Sequence, residues 1–365
     1  MPAPVLTRRL QDAKSPEELL QLVQHHMADF DHIHVSAAYT TAVKLCRNGV
    51  QLERQPAAVQ QLLSQLRQLA TQLQQQCGAR QLANIMWACG RLRDVDTFTL
   101  LLPEFLQPSK LQQAQPQSVS NVLFAAAALE LQPTAEQLQL LLQQFMKVLP
   151  RTNPQDLSNT VWAVAAMQQQ IPVRQLERVL QHFMKVLPQA NPQNVSNIVW
   201  SVATLQQQVP PHQLQQMLKH FVDLLLLAKP QEVSNTLWAV ATLQQQIPAQ
   251  QLQQLLQHFV QVLPWAKPQE VSNTLWAVAS MQQQMPEQHL HRVLFRHLQQ
   301  TEQRFVKVLA QATSQNVSNT LLACAKLQYR PQQLLSALEH NPQQLQTLLA
   351  AAISQELSNM AWACG

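Results

Sequence analysis

An asparagine that recurs at a fixed interval is the polar residue of this sequence best placed for chemistry. The asparagine column comprises Asn84, Asn121, Asn159, Asn197, Asn235, Asn273, Asn319 and Asn359. From the second to the sixth of these, the interval is always 38 residues. A side-chain amide both donates and accepts hydrogen bonds, so the column suits recognition of a polymer's backbone or bases. The alternative is a structural ladder in which each amide bonds the backbone of the neighbouring repeat.

No pattern typical of catalysis accompanies these asparagines. Serine recurs beside them, but no histidine or carboxylate recurs at an offset that would supply a base and its orienting partner. His32 and His34 lack cysteine or acidic partners at the spacing of metal ligands. His182, His220 and His258 share one slot and are interpreted as packing or surface residues. The sequence therefore predicts a protein that is not an enzyme and has neither a metal nor a cofactor.

Two variable columns lie on the same side of the helix as the asparagines. The first variable column is Gln81, Ser118, Asp156, Asn194, Glu232, Glu270, Asn316 and Glu356. The second variable column is Arg91, Ala128, Ala166, Thr204, Thr242, Ser280 and Lys326. A side chain that reads different bases must vary between repeats, whereas one that holds the array together or contacts phosphate can be constant. The first column also falls near the third helical position, where helix capping is the alternative role.

Two other columns have a structural interpretation first and a nucleic-acid interpretation second. The aromatic column is Trp87, Phe124, Trp162, Trp200, Trp238, Trp276 and Trp362, with Leu322 in the remaining repeat. Because leucine is tolerated, packing between repeats is favoured over base stacking. The second-helix column is Lys147, Lys185, Asp223, Gln261 and Lys307. It is interpreted as a solvated face, with phosphate contact as the alternative.

These columns belong to a tandem repeat of helical hairpins. Asn153–Gln170, Asn191–Gln208 and Lys229–Gln246 are nearly the same sequence, and Val35–Leu45 is a degenerate copy. A fixed period of this length indicates a solenoid, in which stacked neighbours bury the apolar faces. We expect an all-α fold, a right-handed α-solenoid of hairpins of about 38 residues. Residues 1–79 would form an N-terminal helical region with one degenerate repeat, and 80–365 the tandem repeats, the last one truncated.

Local signals define each hairpin. Pro230 suits the first helical position, and Val233, Leu237 and Val240 form one apolar stripe. The Ile-Pro pair that ends at Pro248 breaks this helix, and a leucine-rich second helix follows. The hairpin is therefore the repeating unit.

The amino-acid composition is compatible with several classes of partner and does not identify one of them. The formal net charge is +5 and only 12% of the residues are charged. This is compatible with nucleic acid, but any phosphate contact must come from residues that recur along the array. The five cysteines include no CxxC motif, and no apolar stretch reaches the length of a membrane span. The chain stops at Gly365 inside a first helix, so we expect a fragment from which a targeting sequence and a C-terminal domain can be missing.

One repeat motif carries a family resemblance. It reads Pro-Gln, then Asp, Glu or Asn, then Leu or Val, then Ser-Asn, with Trp-Ala three residues after the asparagine. With its period of 38, this motif resembles the octotricopeptide repeat proteins of green algae, over roughly residues 15–365. That family, which is related to FAST-kinase-like mitochondrial RNA proteins, implies an RNA-binding helical-repeat protein of an organelle, with the chloroplast favoured over the mitochondrion. The RAP-type C-terminal domain that many relatives carry is not visible, so a nuclease-like role has no support.

The resemblance and the columns together predict sequence-selective binding of single-stranded RNA, for transcript stability, processing or translation. About one nucleotide per repeat gives a footprint of roughly eight nucleotides. The contacts are predicted at the first variable column, at Asn121 through Asn319 of the asparagine column, and at Thr204, Thr242 and Lys326. Other proteins of an RNA-processing complex are further partners, whereas a membrane and a small-molecule substrate are not expected. The alternative is a protein-binding α-solenoid scaffold, which the low net charge favours.

Overall fold

The computed structural model describes residues 2–46, 55–281 and 287–364, and all regular elements of these residues are helices. The α-helices are α1 (Ala3–Asp12), α2 (Pro16–His26), α3 (His32–Leu45), α4 (Ala57–Leu73), α5 (Ala79–Leu92), α6 (Val95–Phe105), α7 (Pro108–Leu111), α8 (Pro116–Ala128), α9 (Ala135–Val148), α10 (Pro154–Ala166), α11 (Val173–Val186), α12 (Pro192–Thr204), α13 (Pro211–Asp223), α14 (Pro230–Thr242), α15 (Ala249–Val262), α16 (Pro268–Ser280), α17 (Glu287–Val308), α18 (Ser314–Lys326), α19 (Gln332–Glu339), α20 (Pro342–Ala351) and α21 (Ser354–Cys364). No described helix has both the length and the apolar composition that crossing a membrane requires.

The helices form two compact units, Met1–Val186 and Leu187–Gly365. In the first unit, α1, α3, α5, α8 and α10 pack against one another in sequence order, and in the second unit α12, α14, α16, α18 and α21 do the same. Helices α9, α11, α13 and α15 are the second helices of their hairpins. This stacking of equivalent helices confirms the predicted α-solenoid class within each unit. The N-terminal region predicted for residues 1–79 lies inside the first unit.

The regular first helices begin with the same local structure. Proline occupies the first helical position of α10, α12, α14 and α16, where its missing N–H is no loss. In α12, the residue before it is an N-cap, because Asn191 Oδ1 accepts a hydrogen bond from the main-chain N–H of Asn194 at 2.9 Å. The starts of these helices are thus fixed by neighbouring residues in sequence.

The first helices also end alike, in a left-handed residue that is not glycine. These residues, with φ between 52° and 60°, are Arg93, Glu130, Gln168, Gln206, Gln244 and Gln328. The following residue donates its N–H to a carbonyl five residues back, as Gln207 does to Val202 at 3.1 Å. This is the Schellman motif, which satisfies carbonyls at the helix end. The glutamine triplets at 168–170, 206–208 and 244–246 therefore lie in the turn that leaves the helix.

The core of each regular hairpin contains a phenylalanine from the second helix. Phe145, Phe183, Phe221, Phe259 and Phe305 are each at most 2% exposed. The first helices contribute small residues that let them approach closely. A Cβ atom on Gly90 would lie 2.8 Å from Cα of Ala125, so α5 and α8 are closer there than any side chain permits. Helix α17, with 22 residues against 14 in α15, accounts for the wider spacing between Asn273 and Asn319.

Candidate nucleic-acid interface

The asparagine column lies on a partly exposed stripe of the first helices. All eight of its members are intermediate in exposure. Except at Asn359, the neighbours on both sides are buried, as Ser234 and Thr236 are on either side of Asn235. The amides are therefore the polar groups that this part of each first helix presents to solvent.

The amides of this column are mostly without partners. Within the described part of the chain, the side chains of Asn159, Asn197, Asn235 and Asn273 make no hydrogen bond. At the last repeat, Asn359 Oδ1 accepts one from Gln355 Nε2 at 3.0 Å. The structural ladder that the sequence left open is thus not formed by these four residues. Each free amide offers two donor hydrogens and an acceptor oxygen to a ligand.

Bonds between repeats come from positions beside the asparagines. In the second unit, Asn316 Nδ2 donates to Ser272 Oγ at 3.4 Å, and Ser318 Oγ donates to the carbonyl of Glu356 at 3.2 Å. Both of these serines are fully buried, at 0% exposed for Ser272 and for Ser318. These hydrogen bonds join successive repeats beside the asparagine column, and they do not use the amides of that column.

The aromatic column follows the asparagines on the same stripe and stays partly exposed. In the second unit, the ring centroids of Trp200 and Trp238, and those of Trp238 and Trp276, are 6.3 Å apart. In the first unit, the rings of Phe124 and Trp162 are 5.6 Å apart. These contacts confirm packing between repeats, and the exposed part of each ring also provides a surface on which a base can stack.

Two more positions complete the stripe. Thr204 and Thr242 of the second variable column are partly exposed, and Lys326 is exposed. Sequence reasoning missed a column of exposed glutamines four residues before the asparagines, namely Gln117, Gln155, Gln193, Gln231, Gln269, Gln315 and Gln355. The available signal was the spacing, because residues four apart lie on the same face of a helix.

The first variable column lies at the edge of the stripe and caps helices. The carboxylates of Glu232 and Glu270 accept the main-chain N–H of their N-cap residues at 2.8 Å, and Asn194 Oδ1 does so at 3.1 Å. Asn316 and Glu356 make the equivalent bond at 3.1 Å. In these repeats the side chains of the first variable column therefore cap their helices, which is the alternative role that the sequence left open. A base-reading role for the column stays a prediction.

The burial of this column differs between its members. Ser118, Asp156, Asn194, Glu270 and Asn316 are at most 8% exposed, whereas the other three are intermediate. Gln81, Glu232 and Glu356 are those three. Any contact of the buried members with RNA would have to use the few side-chain atoms left at the surface.

Burial changes the protonation of the acidic members. It raises the pKa of Asp156 to about 6. It also raises the pKa of Glu232 and of Glu270, although the hydrogen bonds and charges of Lys229 and Lys267 oppose the effect. Asp156 differs because its carboxylate has no such compensation. Its own main-chain N–H donates to Asn153 instead, at 2.8 Å.

We expect Asp156→Asn to stabilise the protein at neutral pH by about 2 kcal/mol. The folded-state pKa of about 6 lies above the unfolded value, so the folded state binds the extra proton between about pH 4 and 6. The stability of the wild type therefore falls as the pH rises through that window. Asparagine carries no charge and occupies the same slot as Asn194. Urea unfolding at pH 4.5 and 7 measures the effect, and a variant with no greater advantage at pH 7 than at pH 4.5 would contradict it.

A hydrogen bond from each second helix closes the regular hairpins. The nitrogen Nε2 lies 2.9 Å from a main-chain carbonyl oxygen for His220 with Ala190 and for His258 with Ala228. In other repeats the same slot holds His182, Gln144 or Arg304, which contact the carbonyls of Thr152, Ala114 and Ala266. The slot requires an N–H donor, which imidazole, amide and guanidinium all supply. These histidines therefore have a structural role, in which each one closes its hairpin through a hydrogen bond.

We expect His220→Ala to lower the free energy of unfolding by about 2 kcal/mol, because it leaves the buried carbonyl of Ala190 without its donor. His220→Gln should restore most of the loss, since Gln144 makes the equivalent bond at 3.0 Å. Chemical denaturation of the two variants tests this. Equal destabilisation by alanine and glutamine would show that ring packing, and not the N–H donor, matters in this slot.

The sequence profile of the Tbc2 translation factor N-terminal domain matches residues 95–283, just over half of the chain. This chain belongs to that family. The region matched to the Tbc2 domain contains the asparagines from Asn121 to Asn273 and the aromatic contacts of both units. The chain is thus a member of a helical-repeat family that is related to translation. The narrower resemblance to octotricopeptide repeat proteins stays a prediction.

Two other comparisons add little to the Tbc2 match. No curated protein matches the chain. A crystal structure of an engineered protein is similar over 98% of this chain and 93% of that chain, with 14% identity and a TM-score of 0.37. That degree of likeness is too low to bear on fold or function.

Proposed function

We propose that this protein is an organellar RNA-binding helical-repeat protein without catalytic activity. It selects single-stranded RNA by sequence and acts in the stability, processing or translation of chloroplast or mitochondrial transcripts. The observation that carries the proposal is the asparagine column, in which the partly exposed amides from Asn159 to Asn273 lack partners in the described chain and lie beside aromatic rings that contact one another. Unpaired bases are recognised through hydrogen bonds to their edges and stacking on their faces, and this stripe supplies both.

Charge at the ends of the stripe supports the same proposal. Lys229 and Lys267 are exposed at the N-caps of successive first helices, and Lys326 is exposed at the end of α18. The N-terminus of a helix and a nearby cation both favour a phosphate. One cation in each of two successive repeats suits a polymer with one phosphate per nucleotide. The protein then acts by occupancy, protecting a transcript end or keeping a site open for translation.

A protein-binding scaffold is the second candidate, and an apolar surface favours it. Leu226, Leu227 and Trp265 are 87%, 70% and 71% exposed on the turns that follow α13 and α15. Leu227 and Trp265 occupy the same position in successive repeats. Exposed apolar residues that cluster in this way are typical of protein contacts. Other proteins of an RNA-processing complex are the partners that this surface would fit.

Selection from a random single-stranded RNA pool, at two salt concentrations, tests the proposed function. We expect an enriched motif of roughly eight nucleotides, one per repeat. Affinity for the motif should fall with salt, because bound phosphates release counterions. If no motif is enriched and weak binding disappears at moderate salt, the RNA proposal fails and the scaffold becomes the better candidate.

A further inference from the structure

A groove of about 450 Å³ lies between the C-terminal ends of α12 and α14, within the second unit. Its walls include Gln206–Gln208 from one repeat and Gln244–Gln245 from the next. Ala203 and Val209 add apolar surface, and Thr242 lies at its side. The volume falls in the range of sites that bind small ligands. The groove is therefore a second surface, which is distinct from the stripe that carries the asparagines.

The polar groups in this groove are available to a ligand. The Schellman motifs use the main-chain N–H of Gln207 and Gln245, so these bonds leave their side-chain amides unused. Within the described residues, the side chains of both make no hydrogen bond. Thr242 Oγ1 is buried and has no partner in the described chain, whereas Thr204 Oγ1 donates to the carbonyl of Trp200 at 2.9 Å. A buried hydroxyl without a partner calls for an explanation, and a ligand or a water bound at this wall would supply one.

The chemistry of the walls points to an uncharged ligand with both donors and acceptors. No charged side chain lines the groove, so a phosphate is not its occupant. Two first helices end there, and the partial negative charge of helix C-termini favours a ligand that donates hydrogen bonds. Adenine combines an amino donor with an adjacent ring acceptor, and a glutamine amide binds this pair through two hydrogen bonds. Uracil offers a single donor, N3–H, between two carbonyl oxygens, so it fits walls that carry the partial negative charge of helix C-termini less well than adenine does.

The groove is also in reach of an RNA strand that lies on the stripe. Thr242 belongs to the second variable column and follows Trp238 by four residues, so both lie on the same face of α14. A base next to one stacked on Trp238 can therefore turn into the groove. We propose that this groove is an adenine pocket in which an unstacked base of the bound RNA is read by glutamine amides of two successive repeats. The inference rests on the proposed function and adds a reading position outside the columns on the first helices.

The test uses the full chain and fluorescently labelled RNA octamers. One octamer is all uridine, and eight others carry a single adenosine at successive positions. We expect the wild type to bind at least one single-adenosine octamer about tenfold more tightly than the all-uridine octamer. Gln207→Ala combined with Gln245→Ala should abolish that preference while leaving the affinity for all-uridine RNA unchanged within about twofold. The matched control is Gln215→Ala with Gln216→Ala, which removes two exposed amides of α13 and should keep the preference.

Thr242→Val is the second variant, because it keeps the shape of the side chain and removes only the unpartnered hydroxyl. It should fold at least as well as the wild type and lose about fivefold of the adenosine preference. If no octamer and no RNA pool binds, the proposed function itself fails. If RNA binds without preference for adenosine, or if both groove variants keep that preference, only the adenine pocket is overturned.

Discussion

Replacing Asn197, Asn235 and Asn273 together by alanine should weaken binding to selected RNA by about 100-fold or more. Each amide is partly exposed and free of hydrogen bonds in the described chain. If each makes a paired contact with a base worth about 1–3 kcal/mol, the three together contribute at least about 3 kcal/mol. A fluorescence anisotropy titration with the enriched RNA measures the change. The matched control removes three amides from second helices, by Gln216→Ala, Gln254→Ala and Gln257→Ala.

The stability of the same triple variant separates binding from structure. Alanine forms helices better than asparagine by up to about 0.7 kcal/mol per site, and no hydrogen bond of the described chain is lost. The free energy of unfolding should therefore stay the same or rise. A clear fall in stability with unchanged RNA affinity would show that the asparagines hold the array together, and would refute their assignment to RNA.

Phe221→Ala should lower the free energy of unfolding by about 3–5 kcal/mol. The ring is 0% exposed in the second unit and is the equivalent of Phe183 and Phe259 in neighbouring repeats. Its removal leaves a cavity that the stacked hairpins cannot fill without shifting relative to one another. Denaturant unfolding followed by circular dichroism measures the loss.

Leu227→Ala is the control for this prediction, because Leu227 is an apolar residue of the same hairpin that is 70% exposed. Its effect should stay within about 0.5 kcal/mol. A loss below about 1 kcal/mol for Phe221→Ala would contradict the view that one aromatic ring per repeat dominates the core. In a repeat protein, stability depends on each hairpin and its nearest neighbours. Hydrogen exchange should therefore show the largest loss of protection in α12 through α15.

The constant positions of this repeat serve two different purposes. Ser272, Ser318 and Phe221 are buried and stabilise the hairpins, and the N–H donors at the slot of His220 close them. Asn235, like the other members of its column, is equally constant but presents its polar atoms to solvent. The proposal of a recurring ligand, the backbone and bases of RNA, rests on this constant polar residue that the fold does not use.

The sequence alone determined the elements that local rules control. The proline at the first position of α14, the apolar stripe of Val233, Leu237 and Val240, and the break at Pro248 act within a few residues of one another. Helices, turns and their period could be predicted for this reason, and so could the α-solenoid class.

Only the tertiary structure decided which polar groups are free. The sequence could not distinguish a ladder of asparagines from a binding surface, nor show that Glu232 and Glu270 cap their own helices. It also could not show that His220 and Gln144 perform one role, or that Gln207 and Gln245 face a shared groove. Exposure and hydrogen-bond partners depend on how closely successive hairpins approach. That distance is set by contacts between residues about 38 positions apart, which no local pattern specifies.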